Sequence, residues 1–283
     1  MVSQVTNIFE MMIKKFHRKW CGVHFPSSIQ IVSPWDTLLA CQDCIEKNIP
    51  GAYLRLGDGD VNLMEGRGEL LQPYSPSLCA EMIETFSLSG KGIIKALPIH
   101  SPQFGMWEGM KPGIHEASDS WACDLLARCF EYFIGNYIYS PVALAHVTVS
   151  DRVFATNFMR FLKKQNPLFI GNENIPADIL IRLFNSDFHI KTPSENSYAS
   201  IERIEHEALA AIYNSSQNYN VVVVAMGCSG RVIAKRLIKD KHCNVFVFDF
   251  GSLMDAFCGW NTRAWIELVQ VSDNYFDELI KQL

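Results

Sequence analysis

The chain has 283 residues, of which 48% are hydrophobic, and this is enough for one large domain with a sizeable core. Its formal net charge is -5, and its lysines and arginines are spread along the chain, so nucleic acid is not expected as a partner. No apolar run reaches the roughly 18 residues that a membrane-spanning helix needs.

The first 48 residues are predicted to form an N-terminal helical extension. Residues 1–20 have the pattern of an amphipathic helix, whose basic residues either face solvent or make weak peripheral contact with an anionic membrane surface; they are Lys14, Lys15, Arg18 and Lys19. These basic residues follow the apolar ones, which is the reverse of a secretory signal. The odd number of cysteines, nine, agrees with this order in predicting a reduced, cytoplasmic protein.

A second helix is predicted from residue 33 to residue 48, with Ser33 as its cap and Pro34 at its first position. Cys41 and Cys44 within it form a CxxC pair, but no second pair lies at the spacing of a zinc ribbon. A metal or redox role for this pair is therefore not favoured.

From residue 49 to residue 283, short apolar strands alternate with helices. The predicted strands cover 52–58, 92–101, 167–172, 188–196, 221–227 and 245–251. This alternation predicts an α/β fold, a doubly wound and mostly parallel Rossmann-like sheet with helices on both faces. An aromatic-rich stretch at about 102–150 interrupts the pattern and is interpreted as a helical insertion. Ligands of such sheets bind beyond the carboxyl ends of the strands.

Two carboxylates follow the first of these strands. Asp58 and Asp60 lie on either side of Gly59, after Gly57, where glycines permit unusual backbone angles. Carboxylates that converge on a turn can bind Mg²⁺ or Mn²⁺, and these ions often also bind substrate phosphates. The alternative is a simple turn in which Asp58 caps the following helix and Asp60 faces water.

A second motif, VVVVAMGCSGRVIAKRL, is predicted to be a strand, a tight turn and a helix. Backbone amides at a helix N-terminus bind anions, and Gly227 and Gly230 would let a phosphate approach closely, with Ser229 between them. The spacing is neither the dinucleotide fingerprint nor a Walker loop. Close packing of the strand on the helix remains the alternative interpretation. No histidine metal motif and no nucleophile elbow occurs in the sequence.

Several segments resemble one family, the GT-D fold glycosyltransferases, bacterial enzymes formerly described as a domain of unknown function. YLRLGDGDVNLMEG is similar to its signature of arginine, phenylalanine, glycine, aspartate, glycine and glutamate. IKTPSENSYASIERI resembles its segment of proline, alanine, lysine, asparagine and alanine. VVVVAMGCSGRVIAKRL resembles the turn and following helix of the family. VFVFDFGSLMDAF resembles the family's ending of aspartate, isoleucine and glycine. The segments occur in the same order over about residues 50 to 260.

The resemblance implies a Rossmann-like glycosyltransferase that uses a nucleotide diphosphate sugar, linked to UDP, and builds cell-surface glycans or glycoproteins. It also implies that Asp58 and Asp60 are the pair associated with a divalent metal, Mn²⁺ or Mg²⁺. The chain departs from the family where Asp60 replaces the glutamate and where Cys228, Ser229 and Gly230 replace proline, threonine and alanine. The identity of the metal therefore does not carry over.

Further residues at the strand ends are candidates for the site. An inverting transfer needs a base for the acceptor hydroxyl, and Glu195, Asp255 and His100 are candidates without a ranking. Arg55 is expected to orient Asp58 or to contact phosphate. The donor-binding set is completed by Gly57, Gly59 and Asn196, of which Asn196 matches the asparagine of the family's third segment.

Two other functions remain open. A methyltransferase dependent on S-adenosylmethionine also uses an open α/β sheet, and it would bind its cofactor at LGDGD without a metal. A non-catalytic nucleotide-sugar-binding protein would bind UDP without transferring or hydrolysing the sugar. The acceptor, the donor sugar and the oligomeric state cannot be predicted from the sequence.

Overall fold

The computed structural model describes residues 30–97, 132–262, 266 and 274–283. The strands of these residues are β1 (Gln30–Ile31), β2 (Gly51–Arg55), β3 (Ile93–Ala96), β4 (Tyr137–Ile138), β5 (Leu168–Asn172), β6 (His189–Thr192), β7 (Asn220–Ala225) and β8 (Val245–Asp249). Six of them form one sheet in the order β3-β2-β8-β7-β5-β6, and every pairing in it is parallel. Each predicted strand contributes one of the six, so the predicted α/β fold is confirmed.

Helices cover both faces of this sheet. Numbered in chain order, the described helices are α1 (Pro34–Glu46), α2 (Asp58–Met64), α3 (Pro76–Phe86), α4 (Ala143–Ser150), α5 (Arg152–Lys164), α6 (Ala177–Phe184), α7 (Ile201–Tyr213), α8 (Ser229–Lys239), α9 (Leu253–Phe257) and α10 (Tyr275–Ile280). The helix predicted from residue 33 begins as expected, because Ser33 accepts a hydrogen bond from the Asp36 amide and Pro34 occupies the first turn.

Two hydrophobic cores lie on opposite faces of the sheet, and β7 shows why. Val221 and Val223 belong to one core, and Val222 and Val224 belong to the other. Successive side chains of a strand point to opposite faces, so a strand that is apolar at every position must be covered on both sides. The uninterrupted valines of β7 therefore account for its central place in the sheet.

Helix α1 packs in the first of these cores. Leu38, Cys41 and Ile45 are almost fully buried there, together with Cys44. Residues 34–46 thus share the core of the main domain, although the sequence analysis assigned them to an N-terminal extension. Burial raises the pKa of the Cys41 thiol well above its ordinary value, so the CxxC pair packs as apolar side chains.

Parts of the chain that the sequence analysis singled out lie outside the described residues. They are the amphipathic segment 1–20 and most of the predicted insertion at about 102–150, whose described end contains β4 and α4. Strand β4 pairs in parallel with β1 to form a small second sheet. Among the described residues, no helix combines the length and apolar character needed to cross a bilayer.

An ion cluster joins α3 to α8. Glu81 of α3 accepts two hydrogen bonds from Arg236, at 2.9 and 2.5 Å, and a third from the Tyr198 hydroxyl at 3.0 Å. Lys235 lies 2.9 Å from the same carboxylate. Burial alone would raise the pKa of Glu81, but these hydrogen bonds outweigh it and lower the pKa to about 2.

Glu81→Gln is expected to reduce the free energy of unfolding by about 2 kcal/mol at pH 7, because a partly buried, bidentate ion pair is lost. A carboxyl whose pKa is lower in the folded state stabilises the protein above its unfolded pKa and ceases to do so as the pH falls towards its folded pKa. The difference between wild type and variant should therefore shrink between pH 5 and pH 2. Urea unfolding over this range tests it.

The control for this substitution is Glu207→Gln, which breaks the exposed pair between Glu207 and Arg203. Exposed pairs of this kind contribute less than about 1 kcal/mol. Equal losses in the two variants would contradict a stabilising role for the cluster at Glu81.

Candidate functional site

A cleft of about 300 Å³ lies at the carboxyl edge of the main sheet. It is lined by residues at or just after the ends of β2, β5, β6, β7 and β8. Seven of the predicted site residues line it, namely Arg55, Gly57, Asp58, Gly59, Asp60, Gly227 and Asp255. Ser229, Gly230, Glu195 and Asn196 are not among its lining residues, and His100 lies outside the described part of the chain.

The two aspartates occupy the first turn of α2, which starts at Asp58. Asp60 is 2% exposed, and its Oδ2 accepts a hydrogen bond of 2.7 Å from the Gly57 amide. The carboxylate therefore caps the helix on which it lies. Asp58 is exposed at the rim of the cleft. The simple-turn alternative assigned these positions the other way round, with Asp58 as the cap and Asp60 in water.

Glu69 is a third carboxylate beside this turn that the sequence analysis did not identify. A Cβ atom on Gly59 would lie 2.7 Å from Glu69 Cγ, so a side chain at residue 59 would displace Glu69 from its position across the helix start. Glu69 Oε2 accepts a hydrogen bond of 3.0 Å from the Leu71 amide. Glu69 thus lines the cleft in a fixed position.

The guanidinium of Arg231 balances the negative charge of two buried carboxylates at the floor of the cleft. Its Nε lies 3.5 Å from Asp60 Oδ1 and 3.5 Å from Asp249 Oδ2. The same Nε donates a hydrogen bond of 2.6 Å to the Arg55 carbonyl. Burial raises the pKa of Asp60, and the Arg231 guanidinium, the Gly57 amide and the Cys228 thiol oppose that rise. Burial lowers the pKa of Arg231, but the charges of Asp60 and Asp249 outweigh it and leave the pKa raised.

Arg55 belongs to the same network. Its Nη1 lies 3.5 Å from Asp249 Oδ1, and its Nε donates a hydrogen bond to the Pro141 carbonyl. It therefore orients Asp249, and the ion pair that it forms within the described residues is with Asp249 and not with Asp58. The predicted contact of Arg55 with phosphate stays a prediction. Gly251 has a φ of +58°, and a Cβ there would lie 1.2 Å from Arg55 Nη1. The glycine of VFVFDFG thus makes room for this arginine.

The turn between β7 and α8 directs the start of a helix at the cleft. Gly227 has a φ of +63°, a conformation that favours glycine. The amides of Gly230 and Arg231 donate to the carbonyls of Gly227 and Cys228. Within the described part of the chain, no backbone carbonyl is seen to accept a hydrogen bond from the amides of Cys228 and Ser229. These two amides, at the positive end of the helix dipole, are suited to an anion.

The side chains of Ser229 and Asn196 have structural partners, and Gln72 is the residue that connects them. The Ser229 hydroxyl is buried and donates to Gln72 Oε1 at 2.9 Å. Gln72 Nε2 donates to Asn196 Oδ1 at 3.0 Å, and the Tyr198 amide donates to Gln72 Oε1 at 3.1 Å. Gln72 is 4% exposed and lines the cleft. It holds together the loops that follow α2, β6 and β7.

Gly230 has a packing role. A Cβ on this residue would lie 3.2 Å from Met226 Cγ and 3.6 Å from a methyl carbon of Val224, so a small residue lets α8 start close to β7. This is the packing alternative that the sequence left open for the motif.

The candidate bases differ in position. Asp255 lies in α9 and lines the cleft, and its Oδ2 accepts a hydrogen bond of 2.5 Å from the Thr262 hydroxyl. Glu195 is exposed. Of the three predicted candidates, Asp255 is the one that the described residues bring to the cleft.

The chemistry of the cleft suits a cation that a ligand helps to hold. The described residues contain no group of three histidine, cysteine or acidic side chains that could hold a metal by themselves. Mg²⁺, however, is commonly bound by one or two carboxylates with substrate phosphates and water. Asp58 is exposed at the rim, and Asp60 Oδ1 is buried with no hydrogen-bond partner among the described residues. These two carboxylates therefore fit such a cation.

The charges of the lining residues also favour a bound cation. Among the described lining residues, the carboxylates are Asp58, Asp60, Glu69 and Asp255, against the two guanidiniums of Arg55 and Arg231. A diphosphate that entered this cleft alone would meet net repulsion, and an accompanying cation would remove it.

A second cleft, of about 760 Å³, lies near the amino ends of β5, β6 and β7. His189 lines it, and a hydrogen bond of 2.9 Å joins its Nε2 to the Gly171 carbonyl. Burial lowers the pKa of this imidazole. Although this cleft is larger, ligands of parallel α/β sheets bind at the opposite edge, so the carboxyl-edge cleft is the candidate site.

The fold matches that of solved glycosyltransferase structures. No protein-family model and no curated protein matches the chain. A glycosyltransferase (DUF1792) from Streptococcus sanguinis superposes with a TM-score of 0.59 and 18% identity, over 80% of this chain and 82% of that one. A structure of domain of unknown function 1792, described as a distinct glycosyltransferase fold, superposes with a TM-score of 0.62 and 17% identity, over 86% of this chain and 83% of that one.

A selenomethionine-substituted DUF1792 domain gives a TM-score of 0.61 and 17% identity, over 87% of this chain and 83% of that one. The chain therefore has an α/β fold of the glycosyltransferase type. More particularly, it has the distinct fold described for DUF1792, and the predicted resemblance to the GT-D fold is confirmed at the level of the fold.

Proposed function

We propose that this protein is a glycosyltransferase that moves a sugar from a UDP-linked donor to a glycan or glycoprotein acceptor. The observation that carries the proposal is the cleft at the carboxyl edge, which combines exposed and buried carboxylates with the start of α8. The likeness of the fold to DUF1792 glycosyltransferase structures supports the same class of activity.

Asp58 and Asp60 are the residues that would hold the divalent cation, Mn²⁺ or Mg²⁺. Asp58 is accessible from the cleft, and Asp60 Oδ1 is one of two buried carboxylate oxygens, with Asp249 Oδ2, that have no hydrogen-bond partner among the described residues. When bound, the cation would stabilise the negative charge that develops on the leaving diphosphate. Gly57 and Gly59 serve this site through the backbone, since one donates to Asp60 and the other makes room for Glu69.

The chain itself supplies fixed dipoles for the diphosphate. The amides of Cys228 and Ser229 stand at the N-terminus of α8, beside Gly227. Arg231 and Arg55 hold Asp60 and Asp249 in place before any ligand binds. Groups that are already oriented stabilise developing charge without a cost of reorganisation at the moment of reaction.

We assign to Asp255 the role of base for the acceptor hydroxyl. Its carboxylate lines the cleft, and the Thr262 hydroxyl donates to one of its oxygens. That hydrogen bond would fix the orientation of the carboxylate that takes the proton of the acceptor.

A thermal-shift screen of nucleotides tests this function. UDP and UDP-glucose, each at about 100 times their Kd with Mn²⁺, are expected to raise the Tm by roughly 5 to 10 °C. The shift should fall sharply when the cation is chelated. A shift with S-adenosylmethionine and none with UDP would favour the methyltransferase. UDP binding without hydrolysis or transfer of the sugar would favour the non-catalytic binding protein.

A further inference from the structure

The carboxyl-edge cleft is divided by charge. Its acidic and basic lining residues come from the end of β2, from the segments that follow β2 and β8, and from α8. On the other side, the ends of β5 and β6 and the loop after β6 contribute neutral residues, which are Asn172, Thr192, Pro193, Ser194 and Ser197. Among the described lining residues from these two strands, none carries a charge. A diphosphate with its cation is therefore expected in the charged half, and an uncharged part of the ligand in the other.

In the neutral half of the cleft, Thr192 is the residue that most strongly indicates a bound ligand. Its side chain is at 1% exposure, and its Oγ1 has no hydrogen-bond partner among the described residues. The backbone around it is fixed, since the Thr192 carbonyl accepts a hydrogen bond of 2.9 Å from the Glu173 amide. A buried hydroxyl without a partner costs stability, and such groups in folded proteins call for an explanation.

Asn172 lies beside Thr192 on the neighbouring strand. The two residues are partners in the parallel register of β5 and β6, so their side chains share one face of the sheet. Asn172 Oδ1 accepts a hydrogen bond of 2.9 Å from the Asn174 amide. This bond turns the carbonyl end of the side chain towards its own loop and leaves the NH₂ group as a donor for the cleft.

We propose that Asn172 and Thr192 form a subsite for a hydroxyl-bearing ring of the donor, and this rests on the proposed function. The Thr192 hydroxyl can donate and accept, and the Asn172 amide can donate, so the pair can bind neighbouring hydroxyls of a neutral ring. The ribose of the nucleotide and the transferred sugar share this chemistry. The subsite would position the ring, while the diphosphate lies towards Asp58 and α8.

Thr192→Val tests the subsite, because valine has nearly the same shape and lacks the hydroxyl. With Mn²⁺ present, the Kd for UDP-glucose measured by calorimetry is expected to rise about tenfold. The Tm without ligand should stay the same or rise, since an unsatisfied buried hydroxyl is removed. Thr192→Ser keeps the hydroxyl and should stay close to the wild-type Kd.

Thr148→Val is the matched control. Thr148 is also fully buried, but its hydroxyl donates to the Leu144 carbonyl at 2.7 Å. This variant is expected to leave the Kd unchanged. The two valine variants thus distinguish a hydroxyl that binds a ligand from one that serves the fold.

Parallel titrations with UDP identify the ring. If Thr192→Val weakens UDP as much as UDP-glucose, the subsite binds the ribose; if it weakens UDP-glucose alone, the subsite binds the sugar. If the wild type binds the ligands and Thr192→Val binds them with the same Kd, the subsite is overturned and the proposed function stands. Absence of wild-type binding to both ligands would overturn the proposed function and the subsite with it.

Discussion

Arg231→Met is expected to reduce the free energy of unfolding by about 3 to 5 kcal/mol, the largest effect on stability that we predict. The substitution leaves Asp60 and Asp249 buried without the guanidinium that lies 3.5 Å from each of them. It also removes the hydrogen bond to the Arg55 carbonyl. The loss would come from the desolvated carboxylates more than from the missing contacts. Asp60 would lose its ion pair with Arg231, Asp249 would keep only its pair with Arg55, and desolvated charges of one sign repel strongly.

Chemical denaturation at pH 7 measures this loss. Lys239→Met is the control, since it removes a cation from the same helix at a position where the side chain is 53% exposed. That variant should lose less than about 1 kcal/mol. If Arg231→Met were as stable as Lys239→Met, the carboxylates would not depend on the guanidinium, and the account of the cleft floor would be wrong.

Asp58→Asn is expected to lower kcat/KM for sugar transfer by about 10² to 10³ and to leave the Tm without ligand almost unchanged. The first effect follows because a carboxylate that holds the cation stabilises charge that develops in the transition state. The second follows because Asp58 is exposed and the ion pairs of the neighbouring arginines with described residues go to Asp60 and Asp249. This combination separates Asp58 from Asp60, whose loss would also disturb the fold.

The rate of transfer should be measured over a range of Mn²⁺ concentrations, with donor hydrolysis as the assay if the acceptor is not yet identified. Asp277→Asn is the control, because Asp277 is an exposed aspartate in the first turn of α10 and does not line the cleft. If both variants kept wild-type rates and the same dependence on Mn²⁺, Asp58 would have no part in holding a cation.

The sheet could be predicted from the sequence because its strands are apolar at nearly every position. The valines of β7 are buried on both faces, and in β8 Phe246 and Phe248 are buried on one face and Val245 and Val247 on the other. Such runs leave few other ways to fold. The start of helix α2 differs from the simple-turn alternative, which placed Asp58 as the cap of the following helix, because Asp58 is its first residue and Asp60 accepts the capping hydrogen bond. Asp58 and Gly59 are poor helix formers. The Asp60 cap and the packing of Glu69 over Gly59 are contacts that stabilise this short helix.

The site could be predicted only in part. The positions of Asp58, Gly227 and Asp255 follow from the rule that ligands bind at the carboxyl ends of parallel strands. The environment of Asp60 could not be predicted, because its partner Arg231 lies on a distant helix. Gln72 gave no local signal either, since its hydrogen bonds reach residues 124 to 157 positions away along the chain. Contacts of this kind are set by the tertiary fold.

A crystal structure with UDP-glucose and Mn²⁺, with the metal located by anomalous scattering, tests the central claim most directly. We predict a manganese peak that contacts the Asp58 carboxylate and the donor phosphates, with the nucleotide in the cleft at the carboxyl edge of the sheet. A nucleotide bound in the larger cleft beside His189, with Asp58 in bulk solvent and no metal near it, would contradict the account.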